Sequence, residues 1–433
     1  MKNILLASSF LFIFTNLVSC SSLNKTSLIY SIYPINNEAN SIFDSLSEQN
    51  SDMDTALEPF IMNQFNNIHL DGFALLVNDS IYFSDYLGIH KTDINFENIK
   101  TIVFNEYYGG NSNTYTSIFG ESMFNNLQYY NNKIYFLDRR SFSIYSMNLD
   151  GSNRLQVLNS LDFAEKIYLD GIGYIPEGNI SSFIVINNKI YFNYFLNSAR
   201  LHYFDLYSRE IVNLEIASTP ILTLSPNKAS IQFTHNLEIL TNLNLKDYTL
   251  ESAMPLNIDY LIENKYVSHI LYTTNVNGKM SFSSHFVDSL SPYIYSRIFV
   301  VGKEGYAEEI HYEVFYRNNF INIYGEIEMI EWGDNVNISR RQISMNLNSI
   351  GDWVYFTVSS PFEMVSMYRI KSDGSNFELI YKDILEEVFG TNPITINIIS
   401  ENIIMWKTHP RSHTINVLIR DYSTDEFENR RIN

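Results

Sequence analysis

The hexapeptide Asn-Asn-Lys-Ile-Tyr-Phe occurs twice without change in this chain of 433 residues, at Asn131–Phe136 and Asn187–Phe192. Looser copies begin at Asn78 and Ile350, with Asn-Asp and Gly-Asp in the place of the Asn-Asn pair. Asn, Asp and Gly accept positive φ, so each copy predicts a tight hairpin turn that leads into a β-branched and aromatic strand. Such a repeat constrains the fold strongly, because each unit has to pack against its own copies.

A second motif follows some of the first copies. Ile144–Asn153 and Met367–Asn376 both place the glycine of an Asp-Gly turn six residues after a tyrosine, and weaker versions lie at Leu201–Leu206 and Arg297–Gly305. The combined unit is strand, Asn-type turn, strand, loop, strand, Asp-Gly-type turn and strand, over about 45 to 55 residues. One such sheet cannot bury both of its faces, whereas a ring of sheets can.

The sequence therefore predicts an all-β fold, a β-propeller of four-stranded antiparallel blades over residues 66–433. The middle repeats are degenerate, around Ile231–Phe233 and Met280–Phe282, and further anchors lie near Phe320–Trp332 and Ile396–Trp406. Seven blades fit these anchors best, with eight and six as alternatives. We expect the ring to close by pairing of a late strand with a strand from the N-terminal edge of the body.

The N-terminus carries the one cysteine of the chain, Cys20, at the end of an apolar stretch. Lys2 precedes the mostly apolar run Ile4–Leu17, which has only about two-thirds of the roughly 20 residues that a membrane-spanning helix needs. A small residue stands before the cysteine, as signal-peptide cleavage requires. The stretch resembles a bacterial lipoprotein signal, and the lipobox would consist of Leu17, Val18, Ser19 and Cys20.

The resemblance implies that residues 1–19 are a signal peptide and that Cys20 becomes the acylated N-terminus, carrying palmitate-type chains. Residues 20–65 would then be a lipidated N-terminus and polar tether, with one island, Leu28–Ile35, that could form a strand. The expected location is the bacterial cell envelope, outside the cytoplasm, with a membrane lipid anchor. An ordinary secretory leader is the alternative, and the sequence leaves open whether the outer or the cytoplasmic membrane holds the anchor.

Charge limits the partners of this chain. Lys and Arg number 29 against 48 Asp and Glu, which gives a net charge of −19. Such a surface repels phosphate backbones and anionic membranes, so we expect no nucleic-acid partner. Because no second cysteine is present, no internal disulfide can form, and stability has to come from packing.

The repeats resemble two related groups of propellers. Ile81–Asp85 resembles the Tyr-Trp-Thr-Asp motif of low-density-lipoprotein-receptor-type propellers, with Phe83 in place of Trp and Ser84 in place of Thr. The pattern Asn-Lys-Ile-Tyr-Phe, followed by Tyr-Arg-Ile and Asp-Gly-Ser, is similar to bacterial extracytoplasmic propeller domains of unassigned activity. The resemblance implies a fold more than a function, since propellers host binding, scaffolding and catalysis alike.

Motifs that would name a reaction are missing from the sequence. His409 and His413 are four residues apart, but Pro410 between them favours a loop over a metal-binding helix. Asp150–Asn153 and Ser372–Asn376 lack the further oxygen ligands of a calcium loop, so we expect hairpin turns there. We therefore assign no catalytic residue, no metal ligand and no cofactor.

Tyrosine and asparagine supply the remaining functional signal. The chain has 31 Tyr, and Tyr107–Tyr115 predicts a long loop that joins aromatic rings to amide side chains, with Tyr129-Tyr130 nearby in the sequence. Such surfaces suit sugars and extended peptides, although half-buried strand residues have the same composition. The favoured hypothesis is a non-catalytic binding or scaffold lipoprotein for a protein or glycan partner. The alternative is a glycan-active or other hydrolytic propeller enzyme, with its ligand site unknown.

Overall fold

A computed structural model describes residues 31–33, 72–105, 124–139, 141–162, 166–169, 173–176, 178–195, 199–217, 222–224, 230–235, 239–253, 266–276, 279–287, 293–302, 304–316, 319–321, 327–329, 342–343, 347–359, 366–382, 395–407, 415–421 and 426–432. Over these residues the chain forms strands, hairpin turns and one 3₁₀ helix at Ser160–Asp162, and they contain no α-helix. In this part of the chain, no helix has the length and apolar character needed to cross a membrane.

Seven antiparallel sheets follow one another along the chain and form the seven blades of a β-propeller. A short strand, β1 (Ser31–Tyr33), precedes them. Blade 1 contains β2 (Ala74–Val77), β3 (Ser80–Ser84), β4 (Gly88–Asp93) and β5 (Lys100–Phe104). Blade 2 contains β6 (Phe124–Tyr130), β7 (Lys133–Asp138), β8 (Ser143–Asn148) and β9 (Leu155–Asn159).

A hairpin of β10 (Lys166–Leu169) and β11 (Gly173–Pro176) lies between blades 2 and 3 in the chain. Blade 3 contains β12 (Asn179–Ile186), β13 (Lys189–Phe195), β14 (Ala199–Asp205) and β15 (Ile211–Ala217). Blade 4 contains β16 (Thr223–Leu224), β17 (Ser230–His235), β18 (Ile239–Asn244) and β19 (Leu250–Ser252).

Blade 5 contains β20 (Tyr266–Val276), β21 (Lys279–Val287), β22 (Tyr293–Val301) and β23 (Ala307–Tyr316), and the hairpin β24 (Asn319–Ile321) and β25 (Ile327–Met329) follows it. Blade 6 has its inner strand in two pieces, β26 (Gln342–Ile343) and β27 (Asn348–Ile350), beside β28 (Trp353–Ser359), β29 (Ser366–Lys371) and β30 (Glu378–Tyr381). Blade 7 contains β31 (Thr395–Ser400), β32 (Ile403–Lys407), β33 (Ile415–Arg420) and β34 (Phe427–Ile432).

These bounds confirm the predicted repeat and its count of seven. The degenerate anchors Ile231–Phe233 and Met280–Phe282 lie on the second strands of blades 4 and 5. The anchor near Phe320–Trp332, which allowed an eighth blade, is the two-stranded hairpin of β24 and β25 in its described part. Within the part of the chain that the structure describes, this hairpin has no further strands and does not form a blade, so the ring has seven blades.

The repeated hexapeptide turns at its two asparagines. Asn131 and Asn132 have φ of 47° and 57°, and Asn187 and Asn188 have φ of 51° and 57°. Two consecutive residues with positive φ make the turn whose twist matches that of the flanking strands. Asparagine tolerates this conformation better than most residues with a Cβ, which explains why the turns rely on it.

The strand that follows each turn is buried on both of its faces. Ile134, Phe136, Ile190 and Phe192 are all 0 % exposed, and Tyr191 between the last two is 1 % exposed. One face packs against the preceding blade and the other against the following blade. A strand that lies between two neighbouring blades has apolar and aromatic residues in succession. The Ile-Tyr-Phe end of the hexapeptide shows this pattern.

An aromatic pair recurs across the second and third strands of five blades. The phenylalanine at the end of the hexapeptide faces an aromatic ring on the neighbouring strand, with ring centroids 5.0 to 6.0 Å apart. The five pairs are Phe83–His90, Phe136–Tyr145, Phe192–His202, Phe282–Phe299 and Phe356–Tyr368. Cross-strand aromatic pairs stabilise a sheet by more than their buried area alone would. This contact explains why aromatic residues recur at these positions of the repeat.

The ring closes where the inner strand of blade 7 packs on the inner strand of blade 1. β31 contacts β2, and the apolar cluster between the two blades includes Phe73, Phe83, Met405 and Val417. Blade 7 is built wholly from β31–β34, and β1 pairs with blade 3 instead of blade 7. The predicted closure by an exchanged strand is therefore wrong for the described residues, because face-to-face packing already buries both terminal blades.

Buried amide side chains on inner strands link one blade to the next. The Gln128 amide donates to the Phe183 carbonyl at 2.6 Å and accepts from the Val185 N–H at 3.0 Å. Asn397 occupies the matching position on blade 7 and accepts from the Ala74 N–H of blade 1 at 2.8 Å. The last amide bond joins the two ends of the ring.

Asn397→Ala is expected to destabilise the propeller by about 1–3 kcal/mol, because it leaves the buried Ala74 N–H without its acceptor. Asn429→Ala on the outer strand of the same blade is the control, since Asn429 is exposed and its amide donates to the hydroxyl of the half-buried Tyr381 in a solvent-exposed hydrogen bond. Urea unfolding of both variants measures the difference. Equal midpoints for the two variants would contradict a closing role of Asn397.

Candidate functional site

The antiparallel blades give the ring two different ends. The turns between first and second strands and between third and fourth strands all lie at one end, which we call the turn face. The connections between second and third strands, and those between blades, lie at the other end, which we call the loop face. Most connections of the loop face lie outside the described residues, whereas the turn face is described at all seven blades except for single segments.

Tyrosines concentrate on the turn face of blades 2 to 4. We call this group the tyrosine surface; it comprises Tyr129, Tyr130, Asn131, Asn132, Asn188, Lys189, Tyr203, Tyr207 and Tyr248. Tyr207 is 60 % exposed, Asn131 and Asn132 are exposed, and the other members are half-buried. The surface therefore presents ring edges, hydroxyls and amides to solvent on a rigid set of hairpins.

Blade 2 meets blade 3 through its tyrosines and the Asn-Asn turns. The Tyr130 hydroxyl donates to Asn188 Oδ1 at 3.0 Å and accepts from the Asn188 N–H at 2.8 Å. Asn131 reaches the same Asn188 oxygen at 3.4 Å, and the Tyr129 hydroxyl donates to Asn132 Oδ1 at 2.9 Å. The two identical hexapeptides thus touch each other at their turns, which holds their amides in place.

Blade 3 meets blade 4 through a lysine between two tyrosines. The Lys189 ammonium donates to the Tyr248 hydroxyl at 2.6 Å and lies 4.2 Å from the centroid of the Tyr203 ring. The Tyr203 and Tyr248 rings stack at 5.5 Å with an angle of 9°. The charge of Lys189 is therefore held against π faces at the centre of the tyrosine surface.

Tyr129 and Tyr130 of this surface keep their hydroxyl protons at neutral pH. Burial raises the pKa of Tyr129 and of Tyr130 above the ordinary phenol value, and it also raises the pKa of Tyr191, whose ring centroid lies 5.8 Å from that of Tyr203. Burial also lowers the pKa of Lys133, at the position in blade 2 that Lys189 has in blade 3. Neutral hydroxyls and amides can donate and accept in turn, which is what a polyhydroxylated or peptide ligand needs.

The loop face of blade 1 holds a second polar group, a threonine, histidine and aspartate in a row. Asp85 Oδ1 lies 2.8 Å from His90 Nε2, and Thr101 Oγ1 lies 3.0 Å from His90 Nδ1. The carboxylate can only accept, so Nε2 carries a proton and a neutral ring accepts the threonine hydrogen at Nδ1. Asp85 also accepts the N–H groups of Leu87 and Gly88. The row has the order of a nucleophile, a base and an orienting acid.

His202 occupies in blade 3 the position that His90 has in blade 1. It stacks on Phe192, its Nδ1 donates to the Arg200 carbonyl at 3.1 Å, and it is 6 % exposed. Burial lowers the pKa of His202 to about 4, and the hydrogen bond to Arg200 and the Arg200 charge are smaller influences. Protonation of His202 therefore places a charge in the apolar core between blades 2 and 3, which is unfavourable.

Acid is expected to destabilise the protein through His202. The unfolded pKa is about 6.5 and the folded pKa is lower, so the stabilisation is complete above pH 6.5 and is lost as the pH falls towards 4. The loss at pH 4 is about 3 kcal/mol. His202→Phe keeps the stack, as Phe299 does on Phe282 in blade 5. Unfolding free energies between pH 4 and 8 for both proteins should diverge in acid; parallel profiles would contradict this.

The predicted Asp-Gly turns are confirmed as hairpin turns. Asp150 accepts from the Ser152 N–H and hydroxyl, and Asp373 does the same with Ser375. These serine bonds hold the pKa of both carboxyls below the ordinary value. The carboxylates are thus occupied by their own turns, and no cluster of three metal-ligating side chains occurs within the described ranges.

Several predicted residues fall outside the described residues. These are the lipobox Leu17, Val18, Ser19 and Cys20, the pair His409 and His413, and the loop Tyr107–Tyr115. Tyr129 and Tyr130, named from their composition, do lie on the tyrosine surface. Sequence reasoning missed Lys189, Tyr203 and Tyr248, although Lys189 is inside the repeated hexapeptide and Tyr203 inside a weak copy of the second motif.

Comparison with known proteins finds no matching protein family and no matching curated protein. Among solved structures, the chain is similar to a puromycin hydrolase (8 % identity, TM-score 0.49, covering 83 % of this chain and 54 % of that one). It is also similar to TolB from Acinetobacter baumannii (9 %, 0.36, 70 % and 60 %) and to an oligogalacturonate lyase in complex with manganese (12 %, 0.36, 57 % and 62 %). The chain thus spans less than two thirds of these three proteins, and the likenesses carry no information on what it binds.

Proposed function

We propose that the protein is a membrane-anchored extracytoplasmic lipoprotein whose propeller binds a protein or glycan partner without catalysis. The observation that carries this proposal is the tyrosine surface. Its rings, hydroxyls and amides are exposed or half-buried, and they are fixed by bonds between blades rather than free to move. A preorganised surface loses little conformational entropy on binding, which favours recognition.

The chemistry of the tyrosine surface favours an uncharged or weakly charged partner. Its described members carry one charge, that of Lys189, and the whole chain has a net charge of −19. A polyanionic partner would be repelled at long range, whereas sugar hydroxyls and peptide groups find both donors and acceptors here. Tyrosine also supplies a large contact area with few rotatable bonds.

The lipid anchor is tested by the wild-type protein and Cys20→Ser in cells fed a fatty-acid probe. We expect label on the wild type and none on the variant, because the cysteine sulfur is the acceptor of the acyl-bearing group. Membrane fractionation of the same cells gives a second readout. Equal labelling of the two proteins would overturn the anchor.

The binding role is tested by capture from intact cells with crosslinking, beside a glycan array. Tyr207→Ala is expected to weaken binding about tenfold, the effect of losing about 1.4 kcal/mol at an interface anchor. Tyr306→Ala is the matched control, because Tyr306 is 52 % exposed beside a turn at the same place in blade 5. Equal affinities of the two variants would place the partner elsewhere.

The hydrolytic alternative rests on the row of Thr101, His90 and Asp85. In that reading His90 would take the proton of the Thr101 hydroxyl as this oxygen attacks the substrate. The burial of His90, at 4 % exposed, and the use of Asp85 as a turn cap favour a structural role. A panel of chromogenic glycosides and esters decides between them: turnover that His90→Ala abolishes would support the enzyme.

A further inference from the structure

The outer edge of blade 3 is covered by a strand from far outside the propeller body. β1 pairs antiparallel with β15, with Ile32 opposite Val212 at the centre of the ladder. In the other six blades, the outermost strand ends the sheet within the described residues. Blade 3 is therefore a five-stranded sheet, and β1 lies in the island Leu28–Ile35 that the sequence marked as a strand.

Burial along β15 agrees with a covered edge. Ile211, Leu214 and Ile216 are at most 4 % exposed. By contrast, all three residues of β19 in blade 4 are exposed, and so are the four central residues of β34 in blade 7. The side chains of β15 pack in the apolar clusters that join blade 3 to blades 2 and 4, whereas the β1 ladder covers the backbone groups at the outer edge of β15.

We propose that β1 fixes the propeller to its membrane anchor at blade 3, so that blade 3 is the membrane-proximal blade. The inference rests on the proposed acylation of Cys20. Ten residues lie between Cys20 and Ser31, so the segment from Cys20 to Ser31 spans at most about 40 Å when fully extended. Without the β1 ladder, the first described residue of the propeller body is Gly72, and the same measure from Cys20 to Gly72 allows about 190 Å.

Blade 6 then lies away from the membrane, because it is across the ring from blade 3. Each blade is three strand spacings deep, about 14 Å. Two such depths put the outer rim of blade 6 at least about 28 Å from the outer rim of blade 3. The tyrosine surface on blades 2 to 4 is thereby held close to the membrane, within reach of ligands at its surface.

The test uses the cysteine content of the chain. Once Cys20 is acylated, an added cysteine is the one free thiol of the protein. Ser208→Cys and Ser375→Cys introduce a fluorophore at exposed turns between the third and fourth strands of blades 3 and 6. Each lipoprotein is reconstituted into phosphatidylcholine vesicles that contain an acceptor-labelled lipid, and energy transfer to the membrane is measured.

We expect higher transfer from residue 208 than from residue 375. Ile32→Pro with Tyr33→Pro should abolish the difference, because one of two adjacent antiparallel residues donates its N–H into the ladder and proline has none. Ile32→Thr with Tyr33→Thr keeps the N–H groups and should preserve the difference. The proline variant should still float with vesicles. Flotation therefore distinguishes the loss of the β1 ladder from the loss of the lipid anchor.

Three outcomes would overturn the inference. Equal transfer from both sites in floating wild-type protein overturns the orientation and leaves the lipid anchor intact. If energy transfer from residues 208 and 375 still differs in the proline variant, a feature other than β1 determines the orientation. Wild-type protein that carries no acyl chain overturns the anchor and the inference together.

Discussion

Replacing Phe192 by alanine is expected to destabilise the propeller by about 3–5 kcal/mol, the range for removing a buried phenylalanine ring. Phe192 is 0 % exposed and packs in the cluster between blades 2 and 3. The variant also loses the stack on His202, at 5.3 Å. Since folded proteins are stable by only about 5–15 kcal/mol, one such change removes a large share of the total.

The matched control is Phe195→Ala, three residues further along the same chain. Phe195 ends the same strand but is 46 % exposed. Exposed substitutions usually change stability by less than about 0.5 kcal/mol. Urea unfolding followed by circular dichroism gives both values, and similar losses in the two variants would contradict the repeated aromatic pair as a core contact.

Glu378→Gln is expected to destabilise blade 6 by about 3 kcal/mol, because it leaves a buried arginine without its counter-charge. The Arg369 side chain is 2 % exposed, and its Nε and Nη2 atoms lie 2.7 and 2.5 Å from Glu378 Oε2. Its guanidinium lies 4.1 Å from the centroid of the Trp353 ring. Glu378 is 43 % exposed, so water reaches this ion pair. The expected loss of stability is therefore at the low end of the range of about 3–5 kcal/mol for breaking a buried ion pair.

Arg369→Met is expected to cost much less, about 1 kcal/mol, since it removes the buried charge and keeps an apolar stem on Trp353. The double variant with Glu378→Gln should be more stable than Glu378→Gln alone, because no buried charge is left to lose its partner. Thermal unfolding of the four proteins forms one cycle. Additive losses in that cycle would contradict the account of Arg369 and Glu378 as one unit.

The fold could be predicted because each blade solves the same problem with the same residues. Asn131-Asn132 and Asn187-Asn188 predict a turn, and the apolar run that follows each pair predicts a strand buried on both faces. Blades 4 and 5 keep the phenylalanine of the repeat, at Phe233 and Phe282, but have Gln232 and Ser281 in place of its tyrosine, so the local sequence marked these blades only faintly. The way the ring closes depends on packing between residues more than 300 positions apart, such as Asn397 and Ala74, which no repeat encodes.

The candidate site could be predicted only in part. Tyr129 and Tyr130 stand out as a pair beside a turn, but Lys189 and Tyr248 are 59 residues apart and meet because their blades are neighbours. The row of Asp85, His90 and Thr101 likewise joins the loop after β3 to residues inside β4 and β5 of the same blade. Sequence can name such residue types, whereas their meeting depends on strand register and blade order.

Hydrogen exchange with the captured partner bound tests the central claim most directly, that the turn face of blades 2 to 4 is the binding surface. We expect slower exchange at the turns that contain Asn131-Asn132 and Asn187-Asn188 and at Tyr207, with little change at the Tyr306 turn of blade 5. Protection confined to the loop face, at Asp85–Gly88 beside His90, would contradict the claim and favour the threonine, histidine and aspartate row instead.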